Sequence, residues 1–289
     1  MRKVQISLTL LLVSLICASQ AQEIIPFRLN NHYNILVKAL INDSDSANLM
    51  FQIAMHEGSL APNRINKVPS VKFDTAEFPE GLSKNNRIQV ANTRLDSVWI
   101  WDNEYTGYEA DGKIGTQLFK NKIFKINYDN SCFEVYDNLP STQGFIALPL
   151  ISKRGQLFIA ANSILKNQVL TTEFMLQSGF SGAVIFGNTF TEQHSLENEL
   201  TIIDEKTVLN SGGNKSKNLI ALLPHLQIGR DEFHAIPVNI SVGDLKNQPQ
   251  SYIGADLIHR FNWIIDVKGK TAYLQKNKNF QDPYYFQGK

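Results

Sequence analysis

The chain has 289 residues and a formal net charge of +1, 28 Lys+Arg against 27 Asp+Glu, so no basic excess points to nucleic acid. Apolar residues make up 43% and charged residues 19%, enough to bury a core and unlike a disordered chain. The two cysteines, Cys17 and Cys132, exclude a disulfide framework and a cysteine-based zinc site, and 10% aromatic residues favour strands over helix bundles.

The chain opens with Arg2 and Lys3, followed by an apolar run from Ile6 to Ile16 broken only by Ser and Thr. Ser19 and Ala21 are small residues two apart. This pattern predicts a secretory signal peptide over 1–21, cleaved before Gln22, and export to the periplasm or beyond. The eleven-residue run is too short for a bilayer span, which needs about 20 residues. Ile16, a branched residue before Cys17, argues against a lipid anchor there. No later apolar run reaches spanning length, so the mature chain is expected to have no integral membrane segment.

The mature chain reads mainly as strands. NILVKALIN alternates and turns at Asn42 and Asp43; FKINYDNSCFEVYD is a hairpin turning at Asp129 and Asn130. Cys132 falls on its inner face, a buried thiol with no adjacent basic residue to lower its pKa. NWIIDVKGKTAYLQ is a matching hairpin turning at Lys268, Gly269 and Lys270. These elements recur in two copies. A shift of 123 from Pro26 to Pro149 places Leu36 on Ile159, Phe51 on Phe174 and Ile53 on Leu176. A shift of 138 superposes RIQVANTRLDSVWIW on HLQIGRDEFHAIPVN, and one of 139 superposes IGTQLF on IGADLI. Three blocks in the same order predict an internal duplication: an N-terminal unit over 22–144, and a C-terminal unit with a tail over 145–289. Each is expected to be a small β-barrel.

The blocks resemble the pepsin/retropepsin superfamily of aspartic proteases, in the bilobed form. In that family each lobe carries a strand ending in Asp-Thr-Gly-x-Ser, and later a hydrophobic-hydrophobic-Gly motif before a short helix and a hairpin. FMLQSGFSGAVIF (174–186) is similar to the second such loop, with Gln177-Ser178-Gly179-Phe180-Ser181 in the place of Asp-Thr-Gly-x-Ser. Lys113-Ile114-Gly115 and Tyr252-Ile253-Gly254 are similar to the two Gly motifs. The resemblance implies an all-β fold of two pepsin-like lobes related by a pseudo-twofold axis, with short helices.

It also implies a loss of chemistry. The aspartate position of the second lobe is Gln177, and the shift of 123 carries it onto Ala54 in FQIAMHEGSL. Aspartic proteolysis needs two carboxylates sharing a proton, and neither residue ionises. The expectation is an exported pseudoprotease whose cleft binds a peptide or a protein segment through His56, Glu57, Gln177, Ser178 and Ser181. Gly115 and Gly254 would support the loops. An alternative is a hydrolase acting through other residues of the cleft, with His56 and Glu57 as the titratable candidates. A third reading, an active aspartic protease, meets no Asp-Thr-Gly or Asp-Ser-Gly anywhere in the chain.

The remaining signals are weaker. Asp111 and Asp256 beside the Gly motifs read as a turn residue and a helix opener. GFSGA lacks the spacing of a serine-hydrolase elbow. The histidines His32, His56, His194, His225, His234 and His259 show no helical or strand spacing for a metal, and no cofactor is indicated. Trp99 and Trp101, on one face of a strand, are expected in the core or between the lobes, with a ligand-stacking platform as the alternative. The Lys-Ser pair at Lys215 and Ser216 lacks the glycines of a phosphate loop.

Expression in a secreting host, followed by amino-terminal sequencing of the exported protein, is expected to yield a chain that begins at Gln22. Retention of Met1 on exported material would refute the signal-peptide reading.

Overall fold

The structure is a computed structural model that describes residues 21 and 23–285, apart from 108, 167, 210–214 and 243–247. The expected signal peptide lies outside the described residues except for Ala21, and Cys17 lies outside with it. Among the described residues no helix is long and apolar enough to cross a membrane.

The strands run in chain order through two similar sets. The first comprises β1 (Glu23–Pro26), β2 (Arg28–Leu29), β3 (Ile35–Ile41), β4 (Asp45–Phe51), β5 (Gly58–Leu60), β6 (Leu82–Val90), β7 (Thr93–Trp101) and β8 (Gly112–Ile114). A 3-10 turn (Thr116–Phe119) leads to β9 (Ile123–Asn127) and β10 (Cys132–Tyr136). β11 (Ile146–Pro149) connects the two sets. The second begins with β12 (Ile151–Lys153), β13 (Gln156–Leu165), β14 (Gln168–Gln177) and β15 (Val184–Phe186), then the short helices α1 (Asn188–Gln193) and α2 (Leu196–Glu199). It continues through β16 (Thr201–Leu209), β17 (Lys215–Ile228), β18 (Asp231–Val242), β19 (Ser251–Gly254), α3 (Ala255–Ile258), β20 (Phe261–Asp266) and β21 (Thr271–Lys276).

Each set closes a six-stranded barrel. In the first the order is β3-β4-β8-β5-β7-β6, with β6 returning to β3. In the second it is β13-β14-β19-β15-β18-β17, with β17 returning to β13. A third sheet, β1-β10-β9-β20-β21-β11, joins the lobes through β9 against β20. Closure leaves few free edges, and alternation along the strands fills the interiors: in β7 Leu95, Val98 and Ile100 are buried. Cys132 is buried, as expected. The fold is all-β, with two barrel lobes.

The positions of the duplicated residues need one correction. Leu36 pairs with Met50, and Phe158 pairs with Met175. Leu36 therefore corresponds to Phe158, a shift of 122, whereas Met50 corresponds to Met175, a shift of 125. A hairpin three residues longer in the second lobe separates these shifts, so the ungapped value of 123 fits neither strand. The first-lobe turn is tight, with Asn42 and Asp43 both at positive φ, a conformation these side chains tolerate better than most.

The lobes also differ beyond the barrel. In the second, β16 pairs along β17 as a long hairpin. The corresponding stretch of the first, 61–81, has only an isolated bridge between Asp74 and Leu82. Asp111 organises its start. Its buried carboxylate accepts from Asn48 N at 2.8 Å, Ile65 N at 3.1 Å, Asn66 N at 2.8 Å and Asn66 Nδ2 at 2.7 Å. Asp111 is thus a bracket between β4 and the loop rather than a turn residue.

Asp256 likewise does more than open a helix. It is buried in α3, receives Arg260 Nη2 at 2.9 Å, and accepts from Tyr285 N at 2.8 Å. Arg260 also donates to the carbonyls of Phe280 at 3.1 Å and Asp282 at 2.6 Å. Tyr285 OH lies 2.6 Å from His32 Nδ1, and Tyr33 stacks on His259 at 3.9 Å. The tail therefore ties the second lobe to the 30–34 turn of the first.

Replacing Asp111 by Ala removes the acceptor of four partly buried N–H donors, and hydrogen bonds to a charged group are worth about 1.5–3 kcal/mol each. D111A is expected to lose on the order of 3 kcal/mol in urea unfolding. A loss within 0.5 kcal/mol, the ordinary range for exposed positions, would contradict this bracket.

Candidate functional site at the lobe interface

Inside each barrel one strand sits between two that are consecutive in the chain. β8 lies between β4 and β5, and β19 lies between β14 and β15. The loop leaving β4 must therefore cross the end of β8, and the loop leaving β14 must cross the end of β19. Gly115 and Gly254 stand at those crossings. A Cβ on Gly115 would lie 2.3 Å from Met55 O, and one on Gly254 would lie 2.1 Å from Gly182 O, so only glycine lets the backbones approach. Backbone bonds fasten both crossings: Thr116 N to Met55 O at 2.9 Å, and Ala255 N to Phe180 O at 2.7 Å.

The same ladders identify the equivalent residues. Phe51 pairs with Ile114, and Leu176 pairs with Ile253. The next residue in each chain is Gln52 in one lobe and Gln177 in the other. Each starts an equivalent turn, Met55 N to Gln52 O and Phe180 N to Gln177 O, both 3.1 Å. The expected partner of Gln177 was Ala54; the register places Gln52 there instead. The sequence held a signal for it, since Met50-Phe51-Gln52 and Met175-Leu176-Gln177 match at a shift of 125.

The two glutamines meet. Gln52 Nε2 donates to Gln177 Oε1 at 2.6 Å, and Gly179 N donates to the same oxygen at 3.2 Å. The backbone N–H fixes which end of the Gln177 amide faces the pair, and this in turn makes Gln52 the donor. Gln52 Oε1 is then buried with no donor among the described residues. Neither amide hydrogen-bonds a carboxylate among those residues. Gly179 packs at the pair, where a Cβ would lie 3.1 Å from Gln52 Cδ.

Ser178 makes a second contact between the two loops. Its hydroxyl accepts from Ile53 N at 3.0 Å and donates to Phe51 O at 3.0 Å. Its own carbonyl accepts from Asn34 Nδ2 at 2.9 Å. The counterpart of Ser178 in the first lobe is Ile53, a buried apolar residue, so no reciprocal hydroxyl exists. Asn34, which sequence reasoning missed, supplies a polar group from the 30–34 turn instead. No spacing rule marks it, because its partner is 144 residues away.

The other expected residues have separate engagements. Glu57 Oε2 accepts from Trp101 Nε1 at 3.0 Å, and His56 Nδ1 lies 3.4 Å from Thr116 Oγ1. Ser181 makes none of the bonds that join the lobes. Trp99 and Trp101 are not in the buried core. Trp99 is 42% exposed, with Lys84 Nζ 5.6 Å over its ring, and Trp101 is half-buried against Phe78. They alternate with buried Ile100 and so face out of the barrel.

No family model matches the sequence, and no curated protein matches it. Solved structures do. The crystal structure of the aspartic proteinase from Irpex lacteus aligns over 90% of this chain and 98% of its own, at a TM-score of 0.55 and 10% identity. The retropepsin-like aspartic protease from Rickettsia conorii aligns over 45% of this chain and 89% of its own, at a TM-score of 0.32 and 23% identity. The chain has the bilobed fold of the pepsin-like aspartic proteinases.

Replacing Ser178 by Ala leaves a buried N–H and a buried carbonyl of the opposite lobe unpaired. S178A is expected to cost about 2–3 kcal/mol of stability and to speed hydrogen exchange at Ile53. Unchanged exchange there would show that this hydroxyl does not hold the lobes.

Proposed function

We propose that this protein is an exported, non-catalytic member of the aspartic-protease fold, whose interlobe cleft binds an extended peptide or a partner segment. The observation that carries the reading is the amide pair, Gln52 on Gln177 at 2.6 Å, where the two loop crossings face each other. Aspartic proteolysis uses one carboxylate as base toward water and a second as acid toward the carbonyl, with pKa values split by their proximity. A primary amide has no proton to lend and takes none at ordinary pH. Each general acid or base step is worth about 10²–10⁴ in rate, so loss of both leaves little of that chemistry.

Binding survives the loss. Backbone donors and acceptors along a cleft accept an extended segment as an added strand, with no titrating group required. The Gln52 Oε1 atom is a buried acceptor with no donor among the described residues, so the amide pair is a closed contact and ligand binding falls to the backbone around it. An uncharged pair repels neither basic nor acidic ligands. A hydrolase acting through His56 and Glu57 is less well supported, because Glu57 already accepts from Trp101. The leader-like residues 1–21 support export.

The test pairs cleavage with binding. A peptide library incubated with pure protein from pH 3 to 7 is expected to show no specific cleavage. Calorimetry against the same library should find ligands in the low-micromolar to millimolar range, about −8 to −4 kcal/mol, with Q52A and Q177A weakening them about tenfold. Pepstatin-sensitive cleavage would overturn the non-catalytic half. Absence of any ligand would overturn the binding half and leave a structural role.

A further inference from the structure

In sequence, His225 and His234 are nine residues apart and look unrelated. The β17–β18 hairpin turns back between them, and its register sets them directly opposite one another. Both side chains are exposed, while their neighbours Leu226 and Phe233 point into the barrel and are buried. The imidazole ring centroids are 4.5 Å apart and the planes are near perpendicular, at 86°. Among the described residues these are the only two histidines whose rings touch. His259 is buried against Tyr33, His32 meets Tyr285, His56 meets Thr116 and His194 lies against Phe190.

We propose that His225 and His234 form a surface chelate for a late first-row divalent metal ion, with Cu2+ held most tightly. Directly opposed residues on antiparallel strands have Cβ atoms about 4.5–5.5 Å apart. Two imidazole nitrogens on one ion, each at about 2.0–2.1 Å, must approach to about 3 Å. Rings already in contact reach that spacing by side-chain rotation, with the backbone in place. Neutral imidazole suits copper, nickel and zinc, and the affinity order of such ions peaks at Cu2+.

The hairpin register already holds the two residues opposite each other, next to an unpaired row where Pro224 faces Ala235 at φ +48, so part of the ordering cost of binding is met in advance. The ladder runs from Lys217 opposite Val242 to Ile228 opposite Asp231, which brackets the pair on both sides. The turn closes at Gly229, at φ +61, where a Cβ would lie 3.0 Å from Leu148 Cδ2 of the connecting strand β11. On the outer face the next row toward this turn is Gln227 opposite Glu232, a pair of oxygen donors. The strand on the other side of β17 presents Ile164 to His225, which offers no competing ligand. No group of three metal-type side chains is gathered among the described residues, so the protein supplies two firm ligands and water completes the shell. An ion there ties β17 to β18 beside the strand that joins the lobes.

The test uses the tag-free chain and simple metal salts. Titration calorimetry with Cu2+, Ni2+ and Zn2+ should show one-to-one uptake of Cu2+, tighter than the other two. H225A and H234A should each weaken Cu2+ binding tenfold or more, and the double variant little further, because a chelate needs both rings. Both side chains are exposed, so these variants are expected to fold. Electron paramagnetic resonance of the Cu2+ form should report two equatorial nitrogens, and Tm should rise with Cu2+ in the parent but not in the double variant. H194A should bind as the parent does. Cu2+ uptake unchanged in the double variant, a spectrum with one nitrogen or none, or no uptake at 100 µM Cu2+ would each overturn the assignment.

Discussion

A single hydroxyl, Ser178 Oγ, satisfies a buried carbonyl and a buried N–H that belong to the opposite lobe. Both groups lie where the chain leaves β4, Phe51 being its last residue, to cross β8. Unmade, each would cost about 1–3 kcal/mol, so the relative placement of the lobes is coupled to one side chain. The amide pair depends on it too. Gln52 and Gln177 are the immediate neighbours of the residues that this hydroxyl bridges, and they can meet only if the two crossings are held in register. Behind them Gly115 and Gly254 permit the approach, since a Cβ at either would overlap a carbonyl oxygen.

The arrangement is symmetric in backbone and asymmetric in side chains. Both crossings carry the same turn, the same bond to the residue after the glycine, and a glutamine at the same position. Only the second lobe contributes a hydroxyl. The first contributes buried Ile53 at that place, and makes up a polar contact through Asn34 to the Ser178 carbonyl. One-sided clamping of this kind concentrates the interface energy in fewer groups. The tail adds an independent tie, through Arg260 to the carbonyls of Phe280 and Asp282 and through Tyr285 to His32.

The charged groups near the barrels serve structure. Asp111 is buried yet needs no cation, because four N–H donors surround its oxygens. Asp256 is buried with Arg260, and burial pushes its carboxyl above the usual range while the guanidinium pulls it back. Burial and the Arg260 charge hold the His259 imidazole below its ordinary range. At the two loop crossings the facing groups are neutral amides, so the hydrogen bond between them does not vary with pH as a carboxylate pair would.

What the sequence by itself determined was the duplication and the strand class. Ile114-Gly115 and Ile253-Gly254 share a shift of 139, and the two hairpins around Asn92 and Arg230 share one of 138, because barrel strands repeat a local alternation that side chains record directly. The facing residues were only half legible. The sequence marks Gln177 through its loop, but an ungapped alignment sets Ala54 rather than Gln52 opposite it, since a hairpin of different length shifts every later residue. Tertiary structure alone decided the rest. Asn34 with Ser178, Asp111 with Asn66, and His225 with His234 are contacts between residues that local periodicity does not couple. Their pairing follows from which strands close each barrel and in what register, and that register is set by the packing of the whole interior.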